Sequence, residues 1–438
     1  MADAGTIISQ HKRCQQHHTQ PNTTGAHALT MCAGGALVTG HGSHGGNPTL
    51  ATMRFPVKER MGYDGATYMA SCTWYRLLRP LLFRLPAETS HRLIFTLLGI
   101  FYRMPGAGAI MRTLFVRRLP PLPVSVMGLR FPNPVGLAAG LDKNAEHIRP
   151  LSDFGFGFLE VGTVTPRPQP GNPSPRMFRL TRHAAIINRM GFNNVGVYRL
   201  ITNLVPQGKP CPIGINIGKN RDTPVERAVE DYLSALQAVY GHADYVAVNI
   251  SSPNTAGLRD LQSEANLDAL LRALKAEQAS LAEKHGRYVP IALKIAPDLD
   301  DTQIAVIAEL VLAHKFDAVI AANTTIARPG LEHEPLAHQT GGLSGRPLKR
   351  LSTEIIRKLY APLQGKVPII GVGGIENADD AWEKLVAGAD LIQVYTGFIY
   401  EGPGIVQAIV RGLAERLHAS GDDNLTEAVA RARKQHAN

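Results

Sequence analysis

The sequence repeats one pattern from residue 124 onward: a short apolar run followed by an amphipathic stretch at helical spacing. Eight strands that alternate with helices over about 260 residues predict an α/β fold of the (β/α)8 TIM-barrel type. A doubly wound sheet is the rival fold, but no GxGxxG motif opens a first βα unit. The eight predicted strands are residues 134–138, 158–162, 213–217, 245–250, 291–295, 318–322, 367–372 and 391–395. The clearest amphipathic stretches are residues 225–239, 266–284, 303–314 and 379–387.

One polar motif, Asn249 to Asn254, directly follows the apolar run 245–248. Pro253 cannot donate a hydrogen bond to a neighbouring strand, so we expect the strand to end before it. Two asparagines and two serines then supply amide and hydroxyl groups at the end of that strand. Taken alone, the motif is more typical of an ordinary Ser-Pro-Asn turn after a strand than of a functional site.

The other predicted strands also end in polar residues or glycines. In a TIM barrel the carboxyl ends of all strands face one site, so these residues should meet. Any one of them is compatible with a turn or a surface charge, but eight together indicate a functional site. In strand order they are Ala139 to Lys143, Thr163 with Thr165, Asn216, Asn249 to Asn254, Lys294, Asn323 to Thr325, Gly371 to Gly374, and Tyr395 to Gly397.

The glycines at the last two strand ends favour a phosphate site, which barrels often build there from exposed backbone N–H groups. The run from Gly341 to Gly345 could add further N–H groups. Lys294 and the asparagines suit the polar edge of a flavin, because a cation near the ring stabilises its anionic reduced form. We find no carboxylate pair, histidine triad or metal-ligand spacing, and we expect no metal.

The first part of the chain differs from the rest. Residues 1–70 are rich in His, Gly, Thr and Gln without periodicity, and we expect a disordered tail. Between Trp74 and Phe131 there are nine arginines and a single acidic residue, Glu88, so this segment carries +8 of the chain's net charge of +10. Residues 74–119 read as two short amphipathic helices, whose apolar run of about ten residues is below the ~18–20 needed to span a bilayer.

A basic, amphipathic helix pair favours an anionic membrane surface over nucleic acid as a partner. A helical hairpin packed on the main domain is the alternative, since it would also bury the leucines. The four cysteines are scattered and fit a reducing compartment. We therefore divide the chain into a tail (1–70), a helical membrane-associating segment (71–122), the barrel (123–420) and a C-terminal tail (421–438).

Several of these stretches together resemble the quinone-linked (class 2) dihydroorotate dehydrogenases. The resemblance runs from about Tyr75 to Arg411. It is carried by Ala138 to Lys143, Gly162 to Pro168, Asn188 to Asn193, Asn249 to Asn254, Gly341 to Pro347 and Gly371 to Gly374.

The resemblance implies oxidation of dihydroorotate to orotate in pyrimidine biosynthesis, with FMN as carrier and a membrane quinone (ubiquinone or menaquinone) as acceptor. It places Ser252 as the catalytic base, where soluble class 1 relatives have a cysteine. It implies FMN contacts from Ala139, Gly140, Leu141, Asp142, Lys143, Thr163, Asn216, Asn249, Lys294, Gly345, Gly374, Tyr395 and Thr396. It implies substrate contacts from Lys143, Asn188, Arg189, Met190, Gly191, Phe192, Asn249, Asn254, Asn323 and Thr324.

The resemblance also implies that the basic helices bind the membrane and form a tunnel for the quinone. It implies contacts from His91 and Arg179 to the quinone head group. A serine is a poor base near neutral pH, so we expect Thr255 and Phe192 to shape a proton exit path through a bound water. Two departures stand out: the long tail, and Ala322, where the family often has a hydroxyl. We expect a monomeric peripheral protein on the cytoplasmic side of the bacterial inner membrane, with the mitochondrial inner membrane left open.

Two other functions stay open on the sequence. One is another FMN-dependent barrel oxidoreductase, such as a nucleobase reductase or a dihydrouridine synthase. A dihydrouridine synthase would use its positive charge for RNA and would usually carry a catalytic cysteine at the barrel mouth. The other is a membrane-bound barrel that binds phosphate without catalysis, against which Lys143, Ser252, Asn249 and Asn254 argue, because phosphate binding needs none of them.

Overall fold

A computed structural model describes residues 65–437 of the chain, and the predicted tail before residue 65 lies outside this range. The strands within the range are β1 (Val124–Val126), β2 (Leu129–Phe131), β3 (Val135–Leu137), β4 (Phe158–Val164), β5 (Met177–Leu180), β6 (Ala185–Asn188), β7 (Ile213–Ile217), β8 (Tyr245–Asn249), β9 (Ile291–Ile295), β10 (Ala318–Ala321), β11 (Gly342–Gly345), β12 (Ile369–Val372) and β13 (Leu391–Val394). The helices are α1 (Gly65–Arg84), α2 (Ala87–Phe101), α3 (Ala107–Phe115), α4 (Ile148–Ser152), α5 (Val197–Leu204), α6 (Ala228–Val239), α7 (Glu264–His285), α8 (Asp301–Ala313), α9 (Lys349–Leu363), α10 (Ala378–Ala387), α11 (Thr396–Glu401), α12 (Ile405–Ser420) and α13 (Leu425–Ala437).

Eight parallel strands of this range form a closed barrel in the order β3-β4-β7-β8-β9-β10-β12-β13, with β13 paired to β3. Every residue of these eight strands is buried, because helices cover the outside and side chains fill the inside. A strand that is buried on both faces needs apolar residues at nearly every position. The continuous apolar runs in the sequence therefore coincide with the strands. The TIM-barrel prediction is confirmed, and all eight strands lie within their predicted runs or extend them by two residues.

Aromatic rings fill the interior of the barrel near the amino ends of the strands. The ring of Phe158 packs 5.2 Å from that of Phe131, in the short antiparallel hairpin β1–β2, and 6.3 Å from that of Tyr245. Gly136 makes room for this layer, because a Cβ there would lie 2.3 Å from the Phe158 ring. This apolar layer closes one end of the barrel and leaves the carboxyl ends of the strands as the open end.

A three-stranded antiparallel sheet, β11-β6-β5, forms from segments that leave the barrel and return. Strands β5 and β6 lie in the long connection that follows β4. The pairing of β11 with β6 sets Gly345 opposite Ala185 and Gly342 opposite Asn188. Two motifs that are far apart in the sequence are therefore held side by side.

The N-terminal segment contains three helices instead of the two that were predicted. Helix α1 begins at Gly65, and α3 is an additional nine-residue helix. Helix α1 docks on α11: the Tyr75 hydroxyl donates to the carbonyl of Ile399 (2.5 Å), and Arg79 donates to the carbonyl of Tyr400 (2.7 Å). The described helices include none long and apolar enough to cross a bilayer.

Much of the apolar surface of these three helices faces outward. Burial of leucine and isoleucine side chains is normally favourable, so a continuous set of exposed ones marks a surface that binds something apolar. The exposed residues are Trp74, Leu77, Leu81, Leu85, Leu93, Leu97, Ile100, Met104, Ile110 and Leu114, which we call the apolar helical surface.

Helix α13 occupies most of the stretch that was predicted as a C-terminal tail, and it packs against α10 and α12. Arg433 donates to the carbonyls of Leu385 (3.0 Å) and Ala389 (2.8 Å), which lie at and after the end of α10. Because a basic side chain near the carboxyl end of a helix can hydrogen-bond its last carbonyls, this contact ties the end of the chain to the barrel wall.

Candidate active site

A cavity with about 1020 Å³ of empty space, its mouth included, opens at the carboxyl ends of the barrel strands. Each of the eight strands, or the loop that follows it, contributes to the wall, except the third, β7. The predicted site residues that line it are Ala139, Gly140, Lys143, Thr163, Asn188, Met190, Gly191, Phe192, Asn249, Ser252, Asn254, Lys294, Asn323, Thr324, Gly345, Gly374, Tyr395 and Thr396.

Four predicted site residues do not line this cavity. Leu141 and Asp142 line a neighbouring cavity instead, and the Asp142 carboxylate accepts from the N–H groups of Glu146 (2.9 Å) and His147 (2.7 Å). The Arg189 side chain points away from the cavity, donating to Gln339 Oε1 (2.9 Å), so its predicted substrate contact is not a side-chain contact in this structure. Asn216 is fully buried beneath the cavity wall.

The floor below the cavity is a buried polar network centred on Glu160. Its Oε1 accepts from Lys294 Nζ (3.1 Å) and Asn216 Nδ2 (2.9 Å). Its Oε2 accepts from the Tyr245 hydroxyl (2.9 Å) and Gln393 Nε2 (2.7 Å). A buried carboxylate with four donors is satisfied and fixes the position of each donor. Glu160 and Gln393 were not predicted as site residues, because each lies in the middle of its predicted strand and not at the carboxyl end, where site residues are expected.

The asparagines above this floor hold one another in place. Asn249 Nδ2 donates to Thr163 Oγ1 (3.0 Å), whose hydroxyl donates to Asn216 Oδ1 (2.6 Å). Asn249 Oδ1 accepts from the Ser251 hydroxyl (2.9 Å), and Asn323 Nδ2 donates to Ser251 Oγ (2.9 Å). These bonds determine which way each amide faces, so the cavity presents donors and acceptors in a fixed pattern.

Ser252 lies on the cavity wall and is buried, and its Oγ accepts from the N–H of Asn254 (3.2 Å). The nearby Thr255 hydroxyl is buried and has no hydrogen-bond partner among the described residues. Phe192 packs close to Gly218, where a Cβ would lie 2.9 Å from the ring. A hydroxyl without a protein partner beside a candidate base is suited to bind a water molecule.

Lys143 is the half-buried cation of the cavity wall, and its ammonium donates to Asn193 Oδ1. Burial lowers the pKa of Lys143 to about 7, and the positive charge of Arg176 lowers it further in the same direction. The group therefore changes charge near neutral pH, and a bound carboxylate would favour its charged form.

Two glycines that line the cavity adopt backbone conformations that side chains rarely allow. Gly345 has φ +96° and Gly374 has φ +70°, and a Cβ on either would lie within 2.5 Å of backbone atoms. Ser344 and Thr396 add hydroxyls to this wall, 2.8 Å apart. Closely approaching backbone and hydroxyl donors are the groups that bind a phosphate.

A second cavity, with about 900 Å³ of empty space, lies beside the first. Gly140, Lys143, Met190 and Tyr395 line both cavities. His91 lines the second one, and burial together with the charge of Lys143 lowers the pKa of His91 to about 4.

Arg179 does not line the second cavity. It donates to the carbonyl of Leu82 (3.4 Å) and to Ser90 Oγ (3.3 Å), and its guanidinium stacks 4.5 Å from the Phe83 ring. It therefore joins β5 to the α1–α2 corner. Of the two residues predicted to contact a quinone head group, the structure places only His91 at this cavity.

Known proteins similar to this chain match it over nearly their whole length. Residues 121–417 match the family model described as dihydroorotate dehydrogenase. The chain is 57% identical over 341 residues to a dihydroorotate dehydrogenase (quinone) of Thiobacillus denitrificans, covering 78% of this chain and 99% of that protein. It is 55% identical over 350 residues to one of Nitrosomonas eutropha, covering 79% and 99%.

A solved structure of DHODH from Eimeria tenella, in complex with ferulenol, superposes with a TM-score of 0.72 at 39% identity and covers 78% of this chain and 94% of that one. The ligand-free form of the same organism gives 0.71 at 40% identity, covering 78% and 98%. The sequence matches and the superposed structures therefore agree on one family. This chain belongs to the dihydroorotate dehydrogenase family.

Proposed function

We infer that this chain oxidises dihydroorotate to orotate in pyrimidine biosynthesis, using a flavin and a quinone as the electron acceptor. The observation that carries this inference is the match at 57% identity over 99% of a quinone-dependent relative. The cavity supports it, because a cation, a buried serine and a set of oriented amides line it. An anionic, amide-rich substrate offers complementary groups.

We propose that the flavin is FMN. The fit rests on three features of the cavity: the tightly packed Gly345 and Gly374 wall for a phosphate, the oriented Asn249 amide, and the Lys294 ammonium at the floor. We also propose that FMN contacts the backbone or side chains of Ala139, Gly140, Lys143, Thr163, Tyr395 and Thr396. Leu141, Asp142 and Asn216 would support these residues from behind the cavity wall. Ala322 also lines the cavity, without a hydroxyl to contribute.

A flavin held by these residues would supply the redox chemistry, which takes up a hydride equivalent from C6 of the substrate and gives two electrons to the quinone. Ser252 takes the proton from C5. Lys143 binds the substrate carboxylate, and Asn188, Asn249, Asn254 and Asn323 hold the amide edges, with Thr324 and residues 190–192 completing the wall. Fixing the substrate in this way converts the reaction into an oriented intramolecular step.

Ser252 needs help to act as a base, because a hydroxyl is a poor base near neutral pH. We propose that the unpaired Thr255 hydroxyl holds a water molecule that carries the proton away, and that Phe192 shields this path from bulk solvent.

We propose that the quinone reaches the second cavity from a membrane. The apolar helical surface is flanked by arginines, a combination that binds anionic bilayer interfaces without spanning them. His91 would contact the quinone head group. On this basis we propose a monomeric peripheral protein on the cytoplasmic side of the bacterial inner membrane, divided into residues 1–70, 71–122, 123–420 and 421–438.

The experiment is anaerobic mixing of the purified protein with dihydroorotate while the visible absorbance of the oxidised flavin is followed. Bleaching in the wild type, with slow bleaching in Ser252→Ala, is the expected result, and added quinone should restore the colour. A protein that holds flavin but bleaches with uracil-type dihydropyrimidines or dihydrouridine in RNA, and not with dihydroorotate, would overturn the substrate. A purified protein that contains no flavin would overturn the assignment of a flavin cofactor.

A further inference from the structure

Lys384 is a fully buried lysine on α10, outside the barrel wall and away from the cavity lining. Its ammonium donates to the carbonyl of Lys349 (2.9 Å), to Ser352 Oγ (2.6 Å) and to Thr353 Oγ1 (2.6 Å). All three acceptors are neutral, and no carboxylate among the described residues forms an ion pair with Lys384. A buried charge is normally paired, so this ammonium needs an explanation.

The neighbouring carboxylates are already bound to other cations. Asp380 pairs with Lys349 Nζ (2.8 Å), and Glu383 pairs with Lys349 (3.3 Å) and Arg357 (3.8 Å). Burial lowers the pKa of Lys384 to about 7, in keeping with the lack of a direct counter-charge. The three acceptors of Lys384 also belong to the first five residues of α9, near the end where the helix dipole is positive and disfavours a cation.

One of the three contacts continues to the cavity wall. The Ser352 hydroxyl, which accepts from Lys384, lies 3.0 Å from the carbonyl oxygen of Gly373 and can donate to it. The peptide that joins Gly373 to Gly374 is trans, so its C=O and N–H point in opposite directions. Holding the Gly373 carbonyl on the helix side therefore turns the Gly374 N–H to the other side, and both glycines line the cavity.

The loop that contains Gly373 and Gly374 is packed too tightly against α9 for either glycine to be replaced by a residue with a side chain. A Cβ on Gly374 would lie 2.5 Å from the Cα of Lys349, and a Cβ on Gly373 would lie 2.9 Å from Ser352 Oγ. The Gly374 N–H makes no hydrogen bond within the described residues. The Gly374 N–H, on a tightly packed glycine loop and near the buried Lys384 ammonium, is suited to bind an anion.

We propose that Lys384 is a positioning residue for the cofactor phosphate, and that it acts in two ways. It fixes the Gly374 N–H through Ser352 and Gly373, and it supplies the buried positive charge that offsets the phosphate. This proposal rests on the proposed function, which places a phosphorylated flavin in the cavity. Lys384 itself does not touch the cofactor.

The test measures the preference of the full-length protein for FMN over riboflavin, which lacks the phosphate. Purified protein is equilibrated with a mixture of the two flavins, and the bound flavins are released and quantified. We expect Lys384→Met to lower the FMN preference at least tenfold, while riboflavin affinity changes less than threefold. A lysine that only stabilised the packing of α9 on α10 would lower both affinities equally.

Ser352→Ala and Thr353→Val form a matched pair, because both hydroxyls bind Lys384 but only Ser352 reaches Gly373. Ser352→Ala should lower the FMN preference, and Thr353→Val should leave it within threefold of wild type. This pair also tests the proposal if Lys384→Met does not fold. Lys219→Met is a control for loss of a buried lysine, since Lys219 is bonded to the carbonyls of Asn220 and Thr223.

Three outcomes are distinguishable. Loss of FMN preference in Lys384→Met and Ser352→Ala, but not in the two controls, supports the proposal. Wild-type preference retained in Lys384→Met, or in Ser352→Ala, overturns the role of Lys384 and leaves the FMN assignment intact. A wild-type protein that binds both flavins equally overturns the FMN assignment, and the Lys384 proposal with it.

Discussion

The carboxylate of Glu160 and the ammonium of Lys294 lie 3.1 Å apart inside the barrel, and both side chains are buried. They belong to different strands, β4 and β9, so only the closed barrel brings them together. The pair leaves the floor of the cavity electrically neutral while it presents the lysine from a fixed position. Several functional predictions depend on groups that this network holds.

Removing the carboxylate should destabilise the fold. Glu160→Ala leaves the Lys294 ammonium buried without its partner, and breaking such a pair costs about 3–5 kcal/mol in the free energy of unfolding. Urea unfolding of the flavin-loaded protein measures this change. Glu283→Ala is the control, because Glu283 is exposed on α7 and should change stability by at most about 0.5 kcal/mol. A loss below about 1 kcal/mol for Glu160→Ala would contradict the prediction.

Replacing the proposed base should slow the chemistry without disturbing binding. We expect Ser252→Ala to reduce the rate of anaerobic flavin bleaching by about 10²–10⁴-fold, the contribution typical of a general base. Flavin content and the affinity for orotate, followed by the spectral change on binding, should stay within about threefold of wild type, since Ser252 is one of many wall residues. A mutant that bleaches at nearly the wild-type rate would remove Ser252 from the mechanism.

Orotate binding should weaken as the pH rises above neutrality. Burial lowers the pKa of Lys143 to about 7 in the empty site, and a bound carboxylate raises it. Below that pKa the lysine is already charged and binding needs no proton, whereas above it each binding event takes up one proton. The dissociation constant should therefore rise by up to about tenfold per pH unit above pH 7.

The matched variant is Lys143→Arg, because a guanidinium stays charged throughout this range. Titrations of wild type and variant between about pH 6 and 9 should give a sloping and a flat profile, respectively. A wild-type profile as flat as that of the variant would show that Lys143 does not bind the carboxylate in its charged form.

Charge placed on the apolar helical surface should abolish membrane binding. Leu77 and Leu97 are 77% and 52% exposed, and burial of each in a bilayer interface is worth about 1.5–3 kcal/mol at most. The double variant Leu77→Glu, Leu97→Glu should lose at least about tenfold in sedimentation with anionic vesicles while keeping its bleaching by dihydroorotate. Tyr198→Glu changes a residue that is 72% exposed on α5 and should bind vesicles like wild type.

The barrel was predictable because its strands are buried on both faces. A strand such as β9 (291–295) cannot alternate apolar and polar residues, because both of its faces are buried. Lys294 stands out in this apolar run because it lies where the inside of the barrel meets the site. The β5–β6–β11 sheet was not predictable in the same way, since β11 lies more than 150 residues from β6 and short strands near prolines read as loops. Helix α3 was missed because it is short and contains glycine.

The site was predictable where a residue type is unusual at its position, and unpredictable where only the fold gives it meaning. Asn249, Lys294 and the glycine pair interrupt apolar runs, so they attract attention. Asn216 was expected at the cofactor but is buried behind Thr163, because a strand pattern does not tell how far a side chain extends toward the cavity. Lys384 has no sequence signal, since an amphipathic helix normally carries lysines on its exposed face.

The shared wall of Gly140, Lys143, Met190 and Tyr395 has a consequence for inhibition. If the second cavity takes the quinone, as we propose, a compound that fills only this cavity would compete with the electron acceptor and not with dihydroorotate. Its inhibition would then not be relieved as dihydroorotate accumulates, whereas a substrate analogue in the first cavity would be displaced as the substrate builds up.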